Sequence, residues 1–554
     1  MPRTPAARLL IETVTANPAW SVVLLLLDLS RSAAALALPA LLAAAVDAQT
    51  TGGDLGTVGR LAGLVAVLIL LDIASLLVSP WHVNTLVLGL RRDLLGHVLR
   101  LGVRERAAFS TGDLTTRLLT NTGEVASVVP LAAGWIGSLL MSGGALVALF
   151  LIDWRLCVAF AVGAPIVTLI IRFFVGRASP LMTDYMTVQG SIAGRLTEVL
   201  TGLRSVRAAG AEGREIDRIL TGLPELHRAG RASWLLQGRM NLHASLVLPL
   251  IQVAVVATAG YTLLAGSLTP GQFTAATAYA GMAFGLFNQA NAFMALAQAR
   301  AGARRLAEVL TVGATARGTR ELPAGPGELT FRGVCGPGRY ADLTIPGGAM
   351  AAVVGESGAG KSTLLMLAGR LLDPEEGEVR LDGVPLRDLS PPALAGAVSW
   401  AFERPAYLPG TVADAIGFGS GGGAEEAARL ARADTFVRRL PAGYATPCAD
   451  APLSGGERQR LGLARALARP ARLLLLDDAV SSVDSVTELH ISRALAAHPA
   501  TRLVATHRAS LAARADLVIW LDGTGIRAVA PHADLLEQAD YRGLFGAERE
   551  PIHV

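Results

Sequence analysis

The segment Leu453-Ser454-Gly455-Gly456-Glu457-Arg458-Gln459-Arg460 decides the fold of this chain, because it stands between the two halves of a nucleotide site. Upstream lies Gly355-Glu356-Ser357-Gly358-Ala359-Gly360-Lys361-Ser362-Thr363, a complete P-loop pattern. Downstream lies an apolar run that ends in two carboxylates, Leu473-Leu474-Leu475-Leu476-Asp477-Asp478. A P-loop alone indicates only that phosphate is bound, so the order of the three segments carries the argument.

The P-loop has the local context that phosphate binding requires. An apolar strand pattern at 351–354 precedes it, and a helical pattern at 364–369 follows it. Backbone N–H groups at the start of that helix would face the phosphates, and glycine allows the backbone to approach them closely. The sequence therefore predicts an ATP site, whose phosphate-binding residues are Gly355, Ser357, Gly358, Gly360, Lys361, Ser362 and Thr363.

The order of P-loop, LSGGE segment and apolar strand with aspartate resembles the ATP-binding cassette (ABC) family. The resemblance implies that Lys361 reaches the β- and γ-phosphates and that Ser362 and Asp477 hold Mg²⁺. It also implies that His507, in Val504-Ala505-Thr506-His507-Arg508 after another apolar strand, contacts the γ-phosphate. ATP and Mg²⁺ are the cofactors expected from this resemblance.

The resemblance further implies that the chain works as one half of a pair. In the ABC family the signature segment acts on the ATP of a second cassette, and its counterpart here is Ser454, Gly455, Gly456 and Glu457. Asp484, in Ser481-Ser482-Val483-Asp484, matches the loop that passes information between the two sites. A second cassette is therefore an expected partner.

Composition indicates that the chain enters a membrane. Hydrophobic residues make up 52% of the 554 residues and charged residues 17%, which is apolar for a soluble protein. Six stretches approach the length needed to cross a bilayer: 18–47, 58–82, 126–151, 155–176, 241–266 and 272–299. Arginines crowd two polar stretches, 90–124 and 177–239, and the positive-inside rule places both in the cytoplasm with the N-terminus. The net charge of +4 gives no indication of nucleic-acid binding.

Six spans with two long cytoplasmic excursions resemble the membrane domain of ABC exporters, and 109–118 and 195–212 resemble its two coupling regions. The predicted fold is a multidomain membrane protein with an all-α, six-helix transmembrane domain followed by an α/β P-loop NTPase domain of ABC type. We place the transmembrane domain at 1–310, a linker rich in Gly, Pro and Thr at 311–327, and the ATP-binding domain at 328–554. The expected location is the inner (plasma) membrane, with several spans and a cytoplasmic ATP-binding domain.

Two residues depart from the family pattern at the chain's own ATP site. Asp478 occupies the position of the usual catalytic glutamate and is one methylene shorter, and a misplacement of about 1 Å can cost on the order of 10²-fold in rate. The alternative is that the backbone compensates. Glu403 falls where the family has its Mg-sensing glutamine, so it is a candidate for catalysis or for the metal. The usual adenine-stacking aromatic is missing, and Tyr340 is the nearby candidate.

These departures lie at the chain's own P-loop, whereas the LSGGE segment is intact. The asymmetry resembles heterodimeric ABC exporters, which pair a degenerate site with a competent one. We therefore expect a different half-transporter as partner and ATP-driven movement of a small molecule, lipid or peptide. The alternatives are a homodimer with ordinary turnover, a regulatory half that does not hydrolyse ATP, an importer with the exporter fold, and a soluble ABC ATPase, which the apolar spans disfavour.

Polar residues within the spans are the candidates for contact with cargo. Asp28, Arg31 and Asp72 lie in apolar stretches, where ionisable residues are costly. Arg31 and Asp72 are about equally far from the first external turn, so we predict that they pair, either to line the cargo path or to tie two helices together. In the last span Asn288, Gln289, Asn291 and Gln298 form a polar stripe that could contact cargo or join helices.

Overall fold

The computed structural model describes residues 4–51, 55–285, 290–313, 318–335, 342–418 and 422–545. The chain divides into two compact units. The first comprises Met1–Leu99 and Ser110–Val312, and the second comprises Arg100–Phe109 and Gly313–Val554.

The first unit is helical throughout its described residues, apart from turns. In chain order the helices are α1 (Pro5–Thr15), α2 (Pro18–Thr51), α3 (Leu55–Val98), α4 (Val103–Ala107, which belongs to the second unit), α5 (Thr111–Thr116), α6 (Thr122–Ala126), α7 (Val128–Ile152), α8 (Trp154–Thr201), α9 (Leu203–Ala208), α10 (Glu212–Leu220), α11 (Leu223–Leu264), α12 (Pro270–Ala283) and α13 (Ala290–Leu310). A π-helical turn, Arg117–Asn121, joins α5 to α6.

Five helical stretches within the described residues are long and apolar enough to cross a membrane: Pro18–Gln49, Gly56–Val98, Thr111–Ile152, Trp154–Phe174 and Glu212–Leu264. Each overlaps one of the first five predicted spans, and the second, third and fifth extend well beyond the predicted bounds. The sixth, 272–299, runs across residues 286–289, which lie outside the described part of the chain. Helix α2 continues to Thr51, and α3 begins at Leu55.

Two helices are much longer than a bilayer needs. α8 has 48 residues and α11 has 42, whereas about 20 residues cross the hydrocarbon core. Their polar halves therefore extend the bundle into the water, as the arginine-rich stretch between the fourth and fifth spans predicts. The two helices pack along each other, and Ile251 of α11 fills the space left by Gly163 of α8.

Small residues allow the helices of the first unit to approach closely. A Cβ added at Gly137 of α7 would lie 1.9 Å from Asp28 Oδ2 of α2, and one added at Gly144 would lie 2.5 Å from Leu36 Cδ1. In a membrane, helices associate through such close van der Waals packing, because lipid tails are as apolar as the side chains. Glycine on α7 therefore sets the separation of α2 and α7.

The second unit is built on two sheets. The strands are β1 (Leu329–Cys335), β2 (Leu343–Ile345), β3 (Met350–Gly355), β4 (Glu376–Leu381), β5 (Val384–Pro385), β6 (Val398–Ala401), β7 (Leu473–Asp477), β8 (Thr501–Ala505), β9 (Leu517–Leu521) and β10 (Ile526–Ala530). Four form an antiparallel sheet in the order β2-β1-β4-β5, and six form a second sheet in the order β10-β9-β3-β8-β7-β6. All neighbours in the second sheet are parallel except β10 and β9.

Helices surround the larger sheet: α14 (Lys361–Ala368), α15 (Pro391–Ala397), α16 (Val412–Gly417), α17 (Ala424–Leu430), α18 (Asp434–Val437), α19 (Gly455–Leu467), α20 (Ser485–Ala496), α21 (Ala509–Ala512), α22 (His532–Leu535) and α23 (Ala539–Gly543). Every residue of β3 and of β8 is buried, as expected of parallel strands covered on both faces. The register pairs Val353 with Ala505 and Asp477 with Ala505. The carboxyl ends of β3, β7 and β8 therefore meet at one edge, where ligands bind in open α/β sheets.

Candidate nucleotide site

The loop between β3 and α14 has the backbone of a phosphate cradle. Gly358 and Gly360 adopt φ values of +84° and +97°, in the left-handed region that favours glycine. A Cβ added at Gly355 would lie 2.3 Å from the carbonyl oxygen of Leu521, whereas one added at Gly358 would meet open space. Ser357 and Gly358 are exposed. The loop thus offers its backbone N–H groups to a ligand, at the N-terminus of α14.

Lys361 is the only lysine in the 554-residue chain. It is 7% exposed, and its ammonium group donates to the carbonyl oxygens of Gly355 at 2.8 Å and Glu356 at 2.9 Å. Burial lowers the pKa of Lys361, while the charges of Asp478 and Asp477 oppose that shift. The lysine therefore lies within the loop, at the place where the sequence predicts the β- and γ-phosphates.

Ser362 and Asp477 come together across 115 residues of sequence. The Ser362 hydroxyl donates to Asp477 Oδ1 at 2.8 Å. Burial raises the pKa of Asp477, the Ser362 hydrogen bond opposes this, and the charge of Glu403 raises the pKa further. A hydroxyl and a carboxylate beside a phosphate cradle fit Mg²⁺, which takes one or two protein oxygens and completes its shell with phosphate and water. The residues present therefore fit ATP with Mg²⁺.

Asp478 and His507 face each other at the same edge of the sheet. Asp478 Oδ2 lies 3.7 Å from His507 Nε2, and the two side chains are 22% and 54% exposed. Burial raises the pKa of Asp478, with the charges of His507 and Lys361 opposing. The backbone at Asp478 has a φ of +45°, in the left-handed region where Asp and Asn are enriched over other non-glycine residues. An aspartate is therefore compatible with the left-handed backbone conformation at position 478.

The signature segment begins helix α19. The Ser454 hydroxyl accepts from the Glu457 N–H at 3.3 Å, and the Glu457 carboxylate accepts from the Ser454 N–H at 2.8 Å. This reciprocal capping box orders the first turn while Ser454 and Gly455 stay exposed. A helix start of this kind is suited to an anion. A Cβ added at Gly456 would lie 2.5 Å from the carbonyl oxygen of Ser482, so the segment packs against the turn 481–484.

Asp484 is the N-cap of α20. Its carboxylate accepts from the Thr487 N–H at 2.9 Å, and that hydrogen bond lowers the pKa of Asp484. Thr363 is half-buried in the first turn of α14, and Glu403 is 55% exposed in its side chain. The structure thus brings Lys361, Asp477, Asp478 and His507 to one edge, while the signature joins the turn before α20.

Sequence reasoning missed three buried or half-buried polar residues around that turn: Gln459, Glu488 and Arg508. Gln459 and Glu488 are each 5% exposed. The sequence does indicate two of these residues, because Gln459 lies inside the signature segment 453–460 and Arg508 directly follows His507. The adenine-stacking candidate Tyr340 lies outside the described residues, and Phe331 is fully buried in the core.

The charged residues of the first two spans pair as predicted. Arg31 donates to Asp28 at 2.9 Å and lies 3.9 Å from Asp72. Of the predicted polar stripe, Asn288, Gln289 and the side chain of Asn291 lie outside the described part of the structure, and Gln298 is exposed.

The predicted first coupling region, 109–118, adjoins a segment that belongs to the second unit. Residues Arg100–Phe109 belong to the second unit, and Ser110 begins the return to the first. Within the second unit Arg104 pairs with Glu375 at 2.8 Å. The short helix α4 lies just before the predicted region, and 109–118 stays a prediction.

A P-loop ATPase unit fused to a bundle of membrane-length helices defines an ATP-driven membrane transporter as the class. Residues 21–287 match the family model of the ABC transporter transmembrane region, and residues 339–481 match the ABC transporter model. The chain is 42% identical over 543 residues to an ABC transporter ATP-binding protein, RamA, of Streptomyces coelicolor, covering 96% of this chain and 85% of that protein. This chain therefore belongs to the ABC transporter family.

Two further relatives agree with this assignment. The ATP-dependent lipid A-core flippase of Escherichia coli is 29% identical over 512 residues, covering 87% of this chain and 86% of the flippase. The solved structure of a bacterial Atm1-family ABC exporter with ATP bound superposes with a TM-score of 0.81 at 24% identity, covering 97% of this chain and 99% of that one. The fold is that of an exporter half-transporter, a membrane domain fused to one ATP-binding domain.

Membership of the family defines the general activity. The chain binds ATP, and its hydrolysis is coupled to exporter-type transport. It is a multi-pass protein of the inner (plasma) membrane, with the N-terminus and the ATP-binding domain in the cytoplasm.

Proposed function

We propose that this chain is one half of a heterodimeric exporter, and that it holds ATP in a slow site while lending its signature to a faster site on the partner. The transmembrane domain occupies 1–310, the linker 311–327 and the ATP-binding domain 328–554. The observation that carries the proposal is a contrast within one domain. Asp478 has a shorter side chain than glutamate and lies on left-handed backbone, whereas the signature that begins at Ser454 is ordered and exposed.

The slow site follows from the reach of Asp478. Its carboxylate lies one methylene closer to the backbone than a glutamate carboxylate would, and its Oδ2 faces His507 at 3.7 Å. A general base must come within hydrogen-bond reach of the water it activates, so a base displaced by about 1 Å slows the step on the order of 10²-fold. His507 contacts the terminal phosphate in this proposal.

The charge balance of the site also supports slow turnover. Burial raises the pKa of Asp477 and of Asp478, and the charge of Glu403 raises both further. Bound Mg²⁺ would neutralise charge on the phosphates, held by Ser362 and Asp477 with Glu403 as a further candidate ligand. Lys361 and the loop N–H groups orient the phosphates. Glu403 places a carboxylate where the family has an amide, and an ionised carboxylate cannot donate a hydrogen bond as an amide does.

The signature supports a partner with a competent site. Ser454, Gly455, Gly456 and Glu457 form an intact capped helix start, and Asp484 caps the helix that follows the neighbouring turn. Exposed N–H groups at a helix start bind anions such as a terminal phosphate. We propose that this surface faces ATP held by the second half-transporter, whose own catalytic position carries glutamate.

The cargo class is a small molecule, lipid or peptide. Arg31, Asp28 and Asp72 form a charged group within the first two spans, and ionisable residues in a span face protein or a water-filled cavity. The flippase relative supports keeping lipids in this class. Export is the proposed direction because the fold is that of an exporter.

The test is ATP turnover in lipid nanodiscs, first on this chain alone and then on the chain co-expressed with a candidate half-transporter. We expect negligible turnover alone and restored turnover with the partner. In the pair, Asp478→Asn should change turnover by less than about twofold, whereas replacing the partner's catalytic glutamate should abolish it.

Rapid turnover of the chain alone, abolished by Lys361→Ala, would establish a homodimer and contradict the slow-site proposal. A pair in which Asp478→Asn abolishes turnover would contradict it as well. ATP binding without turnover in any pair would instead identify a regulatory half.

A further inference from the structure

Helices α8 and α11 reach the cytoplasmic boundary of the membrane at the same level. The fourth and fifth candidate spans have their external ends at Trp154 and Leu264. A hydrocarbon core of about 30 Å takes up about 20 residues at 1.5 Å each, so the boundary falls near residue 174 on α8 and residue 244 on α11. The rings of Phe174 and His243 lie 5.7 Å apart, which shows that the two helices are in register at this boundary.

Basic side chains cluster at this boundary. Arg172 and Arg177 of α8 and Arg239 of α11 each lie within four residues of the contact between Phe174 and His243. Four residues of helix span about 6 Å along the axis. The three arginines and His243 are exposed. We call these four residues the boundary cluster, and its arginines carry three permanent positive charges.

The two helices supply no carboxylate that could neutralise the boundary cluster. Neither Asp nor Glu occurs in residues 154–183 of α8 or in residues 226–264 of α11. Farther from the membrane, by contrast, Arg218 pairs with Glu198 at 3.2 Å and with Glu215 at 2.6 Å. The positive charge of the boundary cluster is therefore available to an anion that does not belong to these helices.

Apolar side chains beside the boundary cluster indicate what kind of anion this is. On the membrane side, Leu169 and Phe173 of α8 are 70% and 51% exposed, and Leu242 and Leu246 of α11 are each 57% exposed. The guanidinium carbon of Arg177 lies 3.8 Å from the centroid of the Phe173 ring, so a cation and an aromatic face are adjacent. A lipid fits both parts of this surface, because its headgroup is charged and its acyl chains are apolar. A free phosphate ion would use the charged part alone.

We propose that the boundary cluster binds the headgroup of an anionic phospholipid of the cytoplasmic leaflet, with Arg172, Arg177 and Arg239 on the phosphate. Arginine suits this role because its planar guanidinium binds phosphate through two parallel hydrogen bonds. Basic sites between spans on the cytoplasmic side bind anionic headgroups for the same reason. The inference does not depend on the slow site or on the identity of the second half-transporter, because all of these residues lie in the first unit.

The test is lipid binding to the full chain, purified in a neutral detergent and measured by native mass spectrometry. The two probes are phosphatidylglycerol and phosphatidylcholine with the same dioleoyl chains. We expect phosphatidylglycerol to bind at least about tenfold more tightly, because each arginine near a membrane surface contributes about fivefold. Replacing Arg172, Arg177 and Arg239 together by glutamine should remove most of this preference.

The matched control removes the same charge elsewhere. Arg204, Arg214 and Arg228 are exposed arginines of the cytoplasmic extension, and all three are replaced together by glutamine. The preference for phosphatidylglycerol should stay within about twofold of its original value, since these residues lie far from the boundary. An equal loss in the control would overturn the proposal, because the preference would then reflect net charge alone. Equal binding of the two lipids by the unaltered chain would overturn it as well.

Soluble glycerol 3-phosphate distinguishes a lipid headgroup from a free phosphate. In large excess it should not displace phosphatidylglycerol, because it lacks the acyl chains that would contact Leu169, Phe173 and Leu242. Displacement would assign the boundary cluster to a free phosphate and overturn the lipid assignment. If the triple variant does not fold, the double variant Arg177→Gln and Arg239→Gln takes its place, and an unchanged preference in that variant would contradict the proposal.

Discussion

At the scale of single residues, Lys361 offers a direct chemical test of the ATP site. It is the only lysine of the chain and lies within the phosphate loop, where it donates to Gly355 and Glu356. An ATP derivative with an acyl group on its terminal phosphate transfers that group to an amine within reach, releasing ATP and forming an amide. We expect modification at Lys361, measured by mass spectrometry of peptides.

Excess ATP should suppress this modification, because it occupies the same site. Lys361→Arg provides the control, since it keeps the charge but not the nucleophilic amine, and it should take no label on the loop. Modification of the N-terminus alone, or labelling that ATP does not reduce, would contradict the assignment of the site.

At the same scale, some features of the nucleotide site could be predicted from the sequence and others could not. The family resemblance predicts that Ser362 and Asp477 hold one Mg²⁺, and the structure places the Ser362 hydroxyl 2.8 Å from Asp477 Oδ1. The left-handed backbone at Asp478 was not predictable, because a sequence motif specifies residue types and not φ values.

At the scale of elements, two helices that begin with the same kind of cap allow an effect on stability to be distinguished from an effect on function. Ser454 begins α19 and Thr411 begins α16, each with a complete capping box. Replacing either residue with alanine should cost about 1 kcal/mol of unfolding free energy. We expect similar losses of thermal stability in Ser454→Ala and Thr411→Ala, measured as Tm in nanodiscs.

Only Ser454→Ala should reduce ATP turnover of the assembled pair, because Ser454 lies on the signature surface. Equal turnover in the two variants would show that the Ser454 hydroxyl serves only the helix. A large loss of ATP turnover in Thr411→Ala would instead show that turnover depends on helix stability in general and not on the signature surface.

A second element-scale prediction concerns the external ends of α2 and α12. Asp47 of α2 accepts from the Thr269 hydroxyl at 2.6 Å and from the Gly271 N–H at 2.8 Å, so it caps the start of α12. A Cβ at Gly271 would lie 2.1 Å from the carbonyl oxygen of Ala43. Gly271→Ala should therefore push the helices apart and cost about 1–3 kcal/mol through overpacking.

Gly281→Ala is the matched control on the same helix, because a Cβ there meets nothing within 4 Å. It should leave Tm unchanged or raise it slightly, since glycine disfavours a helix interior. Thermal unfolding of both variants in nanodiscs is the measurement. If both glycines tolerate alanine equally, the close approach of α2 and α12 does not contribute to stability.

At the scale of the whole molecule, the arginine distribution predicts topology that can be tested with engineered cysteines. Ser267 lies in the turn between α11 and α12, and Glu225 lies in the first turn of α11 at the far end of the same helix. A membrane-impermeant maleimide added to intact cells should label Ser267→Cys and spare Glu225→Cys, because the positive-inside rule places Glu225 in the cytoplasm.

The background for this experiment is a chain in which Cys157, Cys335 and Cys448 are replaced by serine, with ATP turnover checked beforehand. Permeabilised cells provide the control, since both positions are exposed and should then react. Labelling of Glu225→Cys in intact cells would reverse the assigned orientation.

The sequence by itself determined the family, the order of the two parts and the residues of the phosphate loop. Those features are local: a P-loop, a capped signature and apolar spans are each encoded in a short run of residues. Burial of β3 and β8 and the long helices α8 and α11 followed from the same local patterns.

Only the tertiary structure decided several other contacts between distant side chains. The parallel register of β7 and β8 brings Asp478 to His507. The turn before α20 meets Gln459 of α19 and Arg508, the residue before α21. The tertiary structure also assigns α4 to the second unit. Such contacts depend on strand order and helix packing across the whole domain, and a one-dimensional pattern carries no distance between residues far apart in the chain.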